Sequence, residues 1–373
     1  MTLSATHATI QGLIQDPIAR YPFSTVACFD PTTGDLPRRQ LNAPLTTTFL
    51  HLLSLPYETT SGTAEAGAVL IGASTGQGHL RTPAELEEWF RVAARPLPAH
   101  ATRKRERDLI LTALLRPEDG SANDHLLNVL AELGYAVVFV RPGTNLGPNP
   151  TAAAITENMR PIVRAAAARG LVVGLYSISD VSGCPMSPDV AAELVAGPGG
   201  ENIVAIKVTE ADYEASTLRF LDDPRLAHLK IVQGWDPHLA RALQDGPRHD
   251  ITRRQRCGFT SGAMSFALIP YLAIASAAQQ GDWAQVAAIQ QVVTAVFASM
   301  QDDPRKFADL QRAKVIMGLG EPLTREVTAD QFDRVLHALE QLPKSDAKNM
   351  LVYSLCLLGD DNPCAEMLNS YLS

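Results

Sequence analysis

Three short apolar runs in this sequence end in groups that can do chemistry. In the sharpest, Ile203 to Ile206 close on Lys207, with Val208 and Thr209 following. The length and β-branching of that run read as a fully buried strand of a parallel sheet. A lysine at the end of such a strand needs a cavity, a partner or a reaction for its tip. The plainer alternative is a stem laid on the strand with its ammonium reaching water. Of the seven lysines, Lys104, Lys306, Lys314, Lys344 and Lys348 lie in polar or helical surroundings, and Lys230 opens a strand instead of closing one. A second run ends in Leu175-Tyr176-Ser177, where Tyr176 is either a core aromatic with a satisfied hydroxyl or a proton carrier. The third, Ala68 to Ile71, leads into Gly72-Ala73-Ser74-Thr75-Gly76. A glycine-flanked Ser-Thr before a helix offers hydroxyls and backbone N–H groups that can hold a carboxylate. A tight turn with a helix cap explains it equally well, and a nucleotide-phosphate loop fails because no lysine follows.

A buried amine suits imine chemistry. Desolvation lowers a lysine's pKa and leaves more of it as the neutral nucleophile. The amine adds to the carbonyl of a 2-oxo acid, and the protonated imine then draws electrons from a breaking C–C or C–O bond. A neighbouring phenol can move protons during both stages. A carboxylate clamp such as Ser74, Thr75 and Gly76 would orient the acid.

Elements that could position these groups recur along the chain. Strands are expected at Phe23–Phe29, Ala68–Ile71, Leu109–Leu115, Ala136–Val140, Leu171–Ser177, Ile203–Lys207, Leu229–Gln233 and, more weakly, Arg256–Thr260. Helical patterns at about 45–55, 83–94, 122–133, 152–168, 189–196, 213–221, 237–244 and 265–279 alternate with them, while 57–66 reads as a loop. Eight strand-helix units imply a closed (β/α)8 TIM barrel. A doubly wound open sheet is the alternative, but no GxGxxG follows the first strand. The expected organisation is a leader at 1–22, a barrel at 23–280, C-terminal helices at 281–342 forming a helical appendage, and a tail at 343–373. The apolar residues of Met350–Leu358 need a surface to cover, on this chain or a neighbour.

The chain has 373 residues and a net charge of −8, with its basic residues scattered, which argues against a nucleic-acid footprint. No apolar run approaches a membrane span, and Met1 to Asp16 lacks the pattern of a signal peptide. Five separated cysteines form no CxxC and nine histidines no HExxH, so no metal or other cofactor is expected. Reduced thiols and a cytoplasmic location are the simple reading.

Taken together, these segments resemble the dihydrodipicolinate synthase/N-acetylneuraminate lyase family of class I aldolases, over about Phe23 to Leu342 and most strongly from Gly134 to Gly262. Tyr176 with Gly183-Cys184-Pro-Met-Ser-Pro188 is similar to the family's strand-five tyrosine, glycine loop and MSPE helix start. The run ending in Lys207 is similar to its Schiff-base strand, and Val232-Gln-Gly234-Trp-Asp236 to its SGDD strand seven. Gly258-Phe-Thr260-Ser-Gly262 falls at its strand-eight segment, and Ser74-Thr75-Gly76 matches its TTGE carboxylate turn. The resemblance implies Lys207 as the imine former, Tyr176 as the proton shuttle, Ser74, Thr75 and Gly76 as carboxylate binders, Thr260 as a further substrate contact, and a homo-oligomer, dimer or tetramer. The departures are as informative. Gln77-Gly78 stands where the family usually has Glu-Ser, and Arg141-Pro-Gly-Thr144 where the synthases carry a tyrosine pair. Val181 occupies the position of the arginine that binds the aldehyde's carboxylate in the synthases, and losing a bidentate partner is not neutral. An uncharged second substrate fits Val181 better, with Ser177 and Asp180 available for hydroxyls. The expectation is a lyase, aldolase or dehydratase, acting on pyruvate or a sugar-derived 2-keto-3-deoxy acid, and not a true dihydrodipicolinate synthase. The alternative is a catalytically impaired relative that binds a 2-oxo acid or regulates.

Overall fold

The computed structural model describes residues 22–24, 28–30, 33, 39–95, 109–147, 149–249, 255–301, 310–320, 323 and 326–372. Eight strands form one parallel sheet: β1 (Pro22–Ser24), β4 (Ala68–Ile71), β5 (Ile110–Leu115), β6 (Val137–Val140), β7 (Val172–Ser177), β8 (Ile203–Val208), β9 (Lys230–Gln233) and β10 (Cys257–Phe259). They lie in the order of the chain, each pairing in parallel with the next. β1 also packs against the turn Gly262–Ser265 that follows β10, so the sheet curls back on itself. This is the TIM-barrel arrangement that the alternation implies, with C-terminal helices beside it. Of the expected first strand, Phe23 and Ser24 lie in β1; residues 25–27 lie outside the described residues, and Phe29 forms isolated bridges to Leu41 and Gly320. The expected leader is likewise outside them, Pro22 excepted.

The remaining pair, β2 (Pro56–Thr59) and β3 (Gly62–Glu65), is an antiparallel hairpin where the sequence reads as a loop. Threonine and tyrosine favour strands despite their polarity. Gly62 takes the turn with φ at 108°, and the Thr59 hydroxyl donates to its carbonyl at 2.6 Å.

Alternation along the strands divides two cores. Val69, Ile71, Ala113, Leu115, Val138, Val140, Val173, Leu175, Ile206 and Val208 face the surrounding helices. Leu70, Leu114, Val137, Phe139, Val172 and Tyr176 fill the interior. Phe139 uses the space beside Gly174, where a Cβ would lie 2.4 Å from the ring. By the same parity Ala205 and Lys207 point inward, and Ala205 joins Val232 in a third small cluster.

The barrel's last helix, Leu268–Gln280, is buried nearly all round, because further helices cover its outer side. Trp283–Ser299 packs on it, Ala329–Gln341 packs on Trp283–Ser299, and Asp346–Leu355 returns to Leu268–Gln280. The apolar tail therefore covers this chain's own barrel, burying Met350, Leu351, Val352 and Leu355, and the Ile269 N–H donates to the Ser354 hydroxyl at 3.0 Å. No helix among the described residues is long and apolar enough to cross a membrane.

Candidate active site

In a parallel sheet, residues of equal register share one level and one face. Tyr176 of β7 and Lys207 of β8 are direct partners, both inward-facing at the C-terminal ends of their strands. The Lys207 Nζ lies 3.8 Å from the centroid of the Tyr176 ring, against its face. Lys207 is 4% exposed and Tyr176 2%. Burial draws the Lys207 ammonium down from 10.5 to about 7, and the nearby Asp236 carboxylate opposes part of that fall. Burial pushes the Tyr176 phenol well above its ordinary value, although the Thr209 hydroxyl donates to it at 3.2 Å. Thr209 has room because residue 234 is glycine: a Cβ there would sit 2.0 Å from its Oγ1.

A narrow pocket opens over the amine, lined by Thr75, Tyr176, Lys207, Thr209, Gly234, Trp235, Asp236, Gly262, Phe297 and Leu310. Asp236 follows β9, is 2% exposed, and accepts a hydrogen bond at Oδ2 from the Ser261 hydroxyl. Burial raises its carboxyl from 3.8 to about 7, and the Ser261 hydrogen bond and Lys207 pull the other way. Three buried polar atoms around this centre have no hydrogen-bond partner among the described residues: Ser74 Oγ, Asp236 Oδ1 and Thr260 Oγ1. Buried polar groups are seldom left unpaired, so an orphaned cluster at strand ends is the signature of a site that a polar ligand completes.

The expected site residues divide accordingly. Lys207, Tyr176 and Thr75 line the pocket, and Ser74 and Gly76 form with Thr75 the buried turn at one wall. Thr260 follows β10 with inward parity and its hydroxyl unmatched. Ser177 is placed elsewhere. One residue beyond Tyr176, it takes the outward parity, donates to Glu210 Oε1 at 2.7 Å and accepts from the Met186 N–H at 3.0 Å. Glu210 also accepts from the Ser179 N–H at 2.9 Å and from the Ser179 hydroxyl, so it clamps the loop after β7. Its carboxyl is raised by burial and held back by these hydrogen bonds. Gln77 is also structural: it takes a left-handed backbone, φ 61°, and its Oε1 accepts the Leu323 N–H at 2.8 Å.

Asp236, Phe297 and Leu310 are pocket residues that sequence reasoning did not assign. Asp236 had a local signal, as the acid one residue after the Gly-Trp that closes β9. Phe297 had none. It arrives from the helix Trp283–Ser299 and meets Trp235 edge-on, with centroids 6.0 Å apart.

A second, more open depression of about 740 Å³ is lined by His79, Arg116, Glu118, Arg141, Thr144, Asp180 and Val181. Its arginines are already matched. Arg116 pairs with Asp119 at 2.8 Å and donates to the Gly78 carbonyl at 3.0 Å. Arg141, 1% exposed, pairs with Glu118 and donates to the Pro142 carbonyl at 2.7 Å. Burial, Arg141 and Arg116 together push His79 down to about 4, so it is neutral at pH 7. Among the described residues no group of three or more His, Cys, Asp or Glu is arranged to hold a metal ion.

Solved structures share this architecture. A prophage protein of the dihydrodipicolinic acid synthase family from E. coli K12, in complex with pyruvate, matches with a TM-score of 0.67 at 16% identity, over 87% of this chain and 98% of that one. CdNal from Clostridium difficile, in complex with mannosamine, matches with a TM-score of 0.63 at 16% identity, over 85% and 97%. Sulfolobus 2-keto-3-deoxygluconate aldolase, in complex with D-KDPG, matches with a TM-score of 0.64 at 12% identity, over 86% and 94%. No family model and no curated protein matches the sequence. The fold is thus the (β/α)8 barrel of the dihydrodipicolinate synthase type, extended by C-terminal helices.

Proposed function

We propose that this protein is a lyase of the class I aldolase type that works through a Schiff base on Lys207. The observation that carries the reading is the Lys207 amine, buried at a strand end against the Tyr176 ring and drawn to about 7. An amine of that basicity is about half neutral at pH 7, against roughly one part in 3,000 for a free lysine. Nζ adds to the carbonyl carbon of a 2-oxo acid, water leaves, and a protonated imine remains. The Ser74–Gly76 turn holds the acid's carboxylate, which would satisfy the Ser74 hydroxyl. Thr260 offers its unmatched hydroxyl to the same ligand. Tyr176 and Thr209 sit where a proton must move as the C–C or C–O bond breaks.

The substrate class is pyruvate or a sugar-derived 2-keto-3-deoxy acid, and the reaction is an aldol cleavage or a dehydration. The proteins of like fold that are complexed with pyruvate and with D-KDPG support it. The matched charges around Val181 favour a neutral, hydroxyl-bearing partner over a second carboxylate. By the same analogy the working form is a homo-oligomer, a dimer or tetramer.

Borohydride trapping with pyruvate, read by intact mass and peptide mapping, tests the mechanism. A pyruvyl-sized adduct on Lys207 supports it, and no adduct with any 2-oxo acid removes it. A second reading, a 2-oxo-acid-binding or regulatory protein with impaired catalysis, draws on β6 ending in a tethered Arg141 instead of a tyrosine. Thermal stabilisation by 2-oxo acids without turnover of any would favour that reading.

A further inference from the structure

An imine-forming lysine needs an acid beside it. Addition of the amine to a carbonyl gives a carbinolamine whose hydroxyl must be protonated before it leaves as water. The Tyr176 hydroxyl is already engaged by Thr209 and sits at the bond-breaking step, and burial raises its phenol. Among the described residues no second tyrosine lines the pocket, and Asp236 is the ionisable group of its wall besides Lys207 and Tyr176. It is buried, and Ser261 fixes Oδ2 while Oδ1 has no partner. Its main-chain carbonyl is fixed too, by the Gln290 amide at 2.9 Å. A residue anchored at two points, one on its carboxyl and one on its main chain, with the second carboxyl oxygen buried and unmatched beside the pocket of Lys207, is more than a core position requires.

We propose that Asp236 is a catalytic residue, the acid–base partner of Lys207 that protonates the departing hydroxyl during imine formation. The inference rests on the Schiff-base reading of this site. Lys207 and Asp236 interact through space without forming an ion pair among the described residues. Burial drives the Lys207 ammonium down and the Asp236 carboxyl up, so both shifts favour the neutral forms. A pocket with little polar solvation favours the uncharged arrangement, amine plus carboxylic acid, over ammonium plus carboxylate. That arrangement is the reactive one. The Nζ lone pair adds to C2 of the oxo acid, and a nitrogen proton passes to the new oxygen. Asp236 then donates its proton to this hydroxyl, and the C–O bond breaks as the nitrogen lone pair forms C=N. Water leaves, and the cationic imine is left facing the Asp236 carboxylate. Hydrolysis runs the same steps in reverse and returns the proton. Among the described residues, Asp236 meets Ser261 after β10 and Gln290 on Trp283–Ser299, and shares its pocket with the ionisable Lys207 on β8 and Tyr176 on β7 and the apolar Phe297 and Leu310.

The test compares the native protein with Asp236→Asn and Asp236→Ala, measuring the rate of cyanoborohydride trapping of pyruvate on Lys207 from pH 5.5 to 9. Asparagine still accepts from Ser261, so the fold has its anchor. The proposal expects trapping at pH 7 to fall about 100-fold in the Asn variant with Lys207 still the labelled residue. It also expects the inflection near pH 7 to change, and acetate or formate to restore part of the rate in the Ala variant. An Asn variant that traps pyruvate within about threefold of the native rate and with the same pH profile overturns the proposal, as a merely structural role would. If Asp236→Asn does not fold, Asp236→Glu replaces it. Retained trapping with a displaced pH profile supports the proposal, and an unmoved profile overturns it. Absence of any adduct in the native protein is a different result, which removes the Schiff-base reading and this assignment with it.

Discussion

Replacing Lys207 by methionine removes an amine whose charged form burial disfavours but keeps most of the side-chain volume, and the change should make the protein more stable. The fall of the ammonium from 10.5 to about 7 corresponds to a charged form disfavoured by on the order of 5 kcal/mol in the folded chain. Some of that is returned on substitution. The contact with the Tyr176 ring is worth about 1–2 kcal/mol when desolvated, and the Asp236 attraction is already contained in the fall to about 7. A net gain of about 3 kcal/mol remains near pH 7. The sign with pH follows from linkage. Lys207 has a lower pKa folded than unfolded, so the unfolded chain binds the extra proton between about 7 and 10.5. The penalty in the native protein is full below about pH 7 and fades as the pH climbs toward 10.5. Urea unfolding of native protein and Lys207→Met at pH 6.5, 8 and 9.5 should therefore show a difference that is largest at pH 6.5 and shrinks steadily. The variant should give no borohydride adduct. A Lys207→Met protein less stable than native at pH 6.5, or a difference independent of pH, would refute the claim that this amine is held against its solvation preference.

Other changes probe the surroundings. Gly234→Ala places a Cβ 2.0 Å from Thr209 Oγ1, and the displaced threonine releases the Tyr176 hydroxyl. Turnover should fall at least tenfold, with a stability cost of about 1–3 kcal/mol by thermal melt. Glu210→Gln keeps acceptors for Ser177 and Ser179 while removing a charge that burial disfavours, and should be near neutral in stability. Glu210→Ala should cost about 1–3 kcal/mol and quicken amide exchange over 178–186. Val181→Arg puts an unmatched cation into the depression beside Arg141. The ratio of kcat/KM for an anionic aldehyde over a neutral hydroxylated one should rise about tenfold, and an unchanged ratio would show that the aldehyde is bound elsewhere. Ser354→Ala removes the acceptor of the Ile269 N–H and should lower stability by about 1–2 kcal/mol.

The barrel was legible because its signals are local. Apolar runs of four to six residues, each closed by a helix cap or proline start, set the strands β4 to β9 within one or two residues. Lys207 and Tyr176 were legible because each sits at the end of such a run, so strand parity and level follow from counting. Ser177 shows the limit of treating a strand end as one unit, since one step along it reverses the face. The hairpin Pro56–Glu65 is masked in the sequence because its Thr, Ser and Gly content reads as a loop, although Thr and Tyr favour strands. Asp236 requires knowing that β9 ends beside β8 at the level of Lys207. Phe297 and Leu310 reach the pocket from about 90 and 100 residues beyond Lys207, which no local pattern encodes.

Phe297 and Leu310, both beyond the barrel's last helix, tie two distant parts of the chain into one wall. Leu310 fills the space that a Cβ on Gly262 would need, and Phe297 meets Trp235 edge-on. The dryness around the Lys207 amine is therefore shared between barrel and appendage, and a barrel cut after Gln280 would lack that part of the wall.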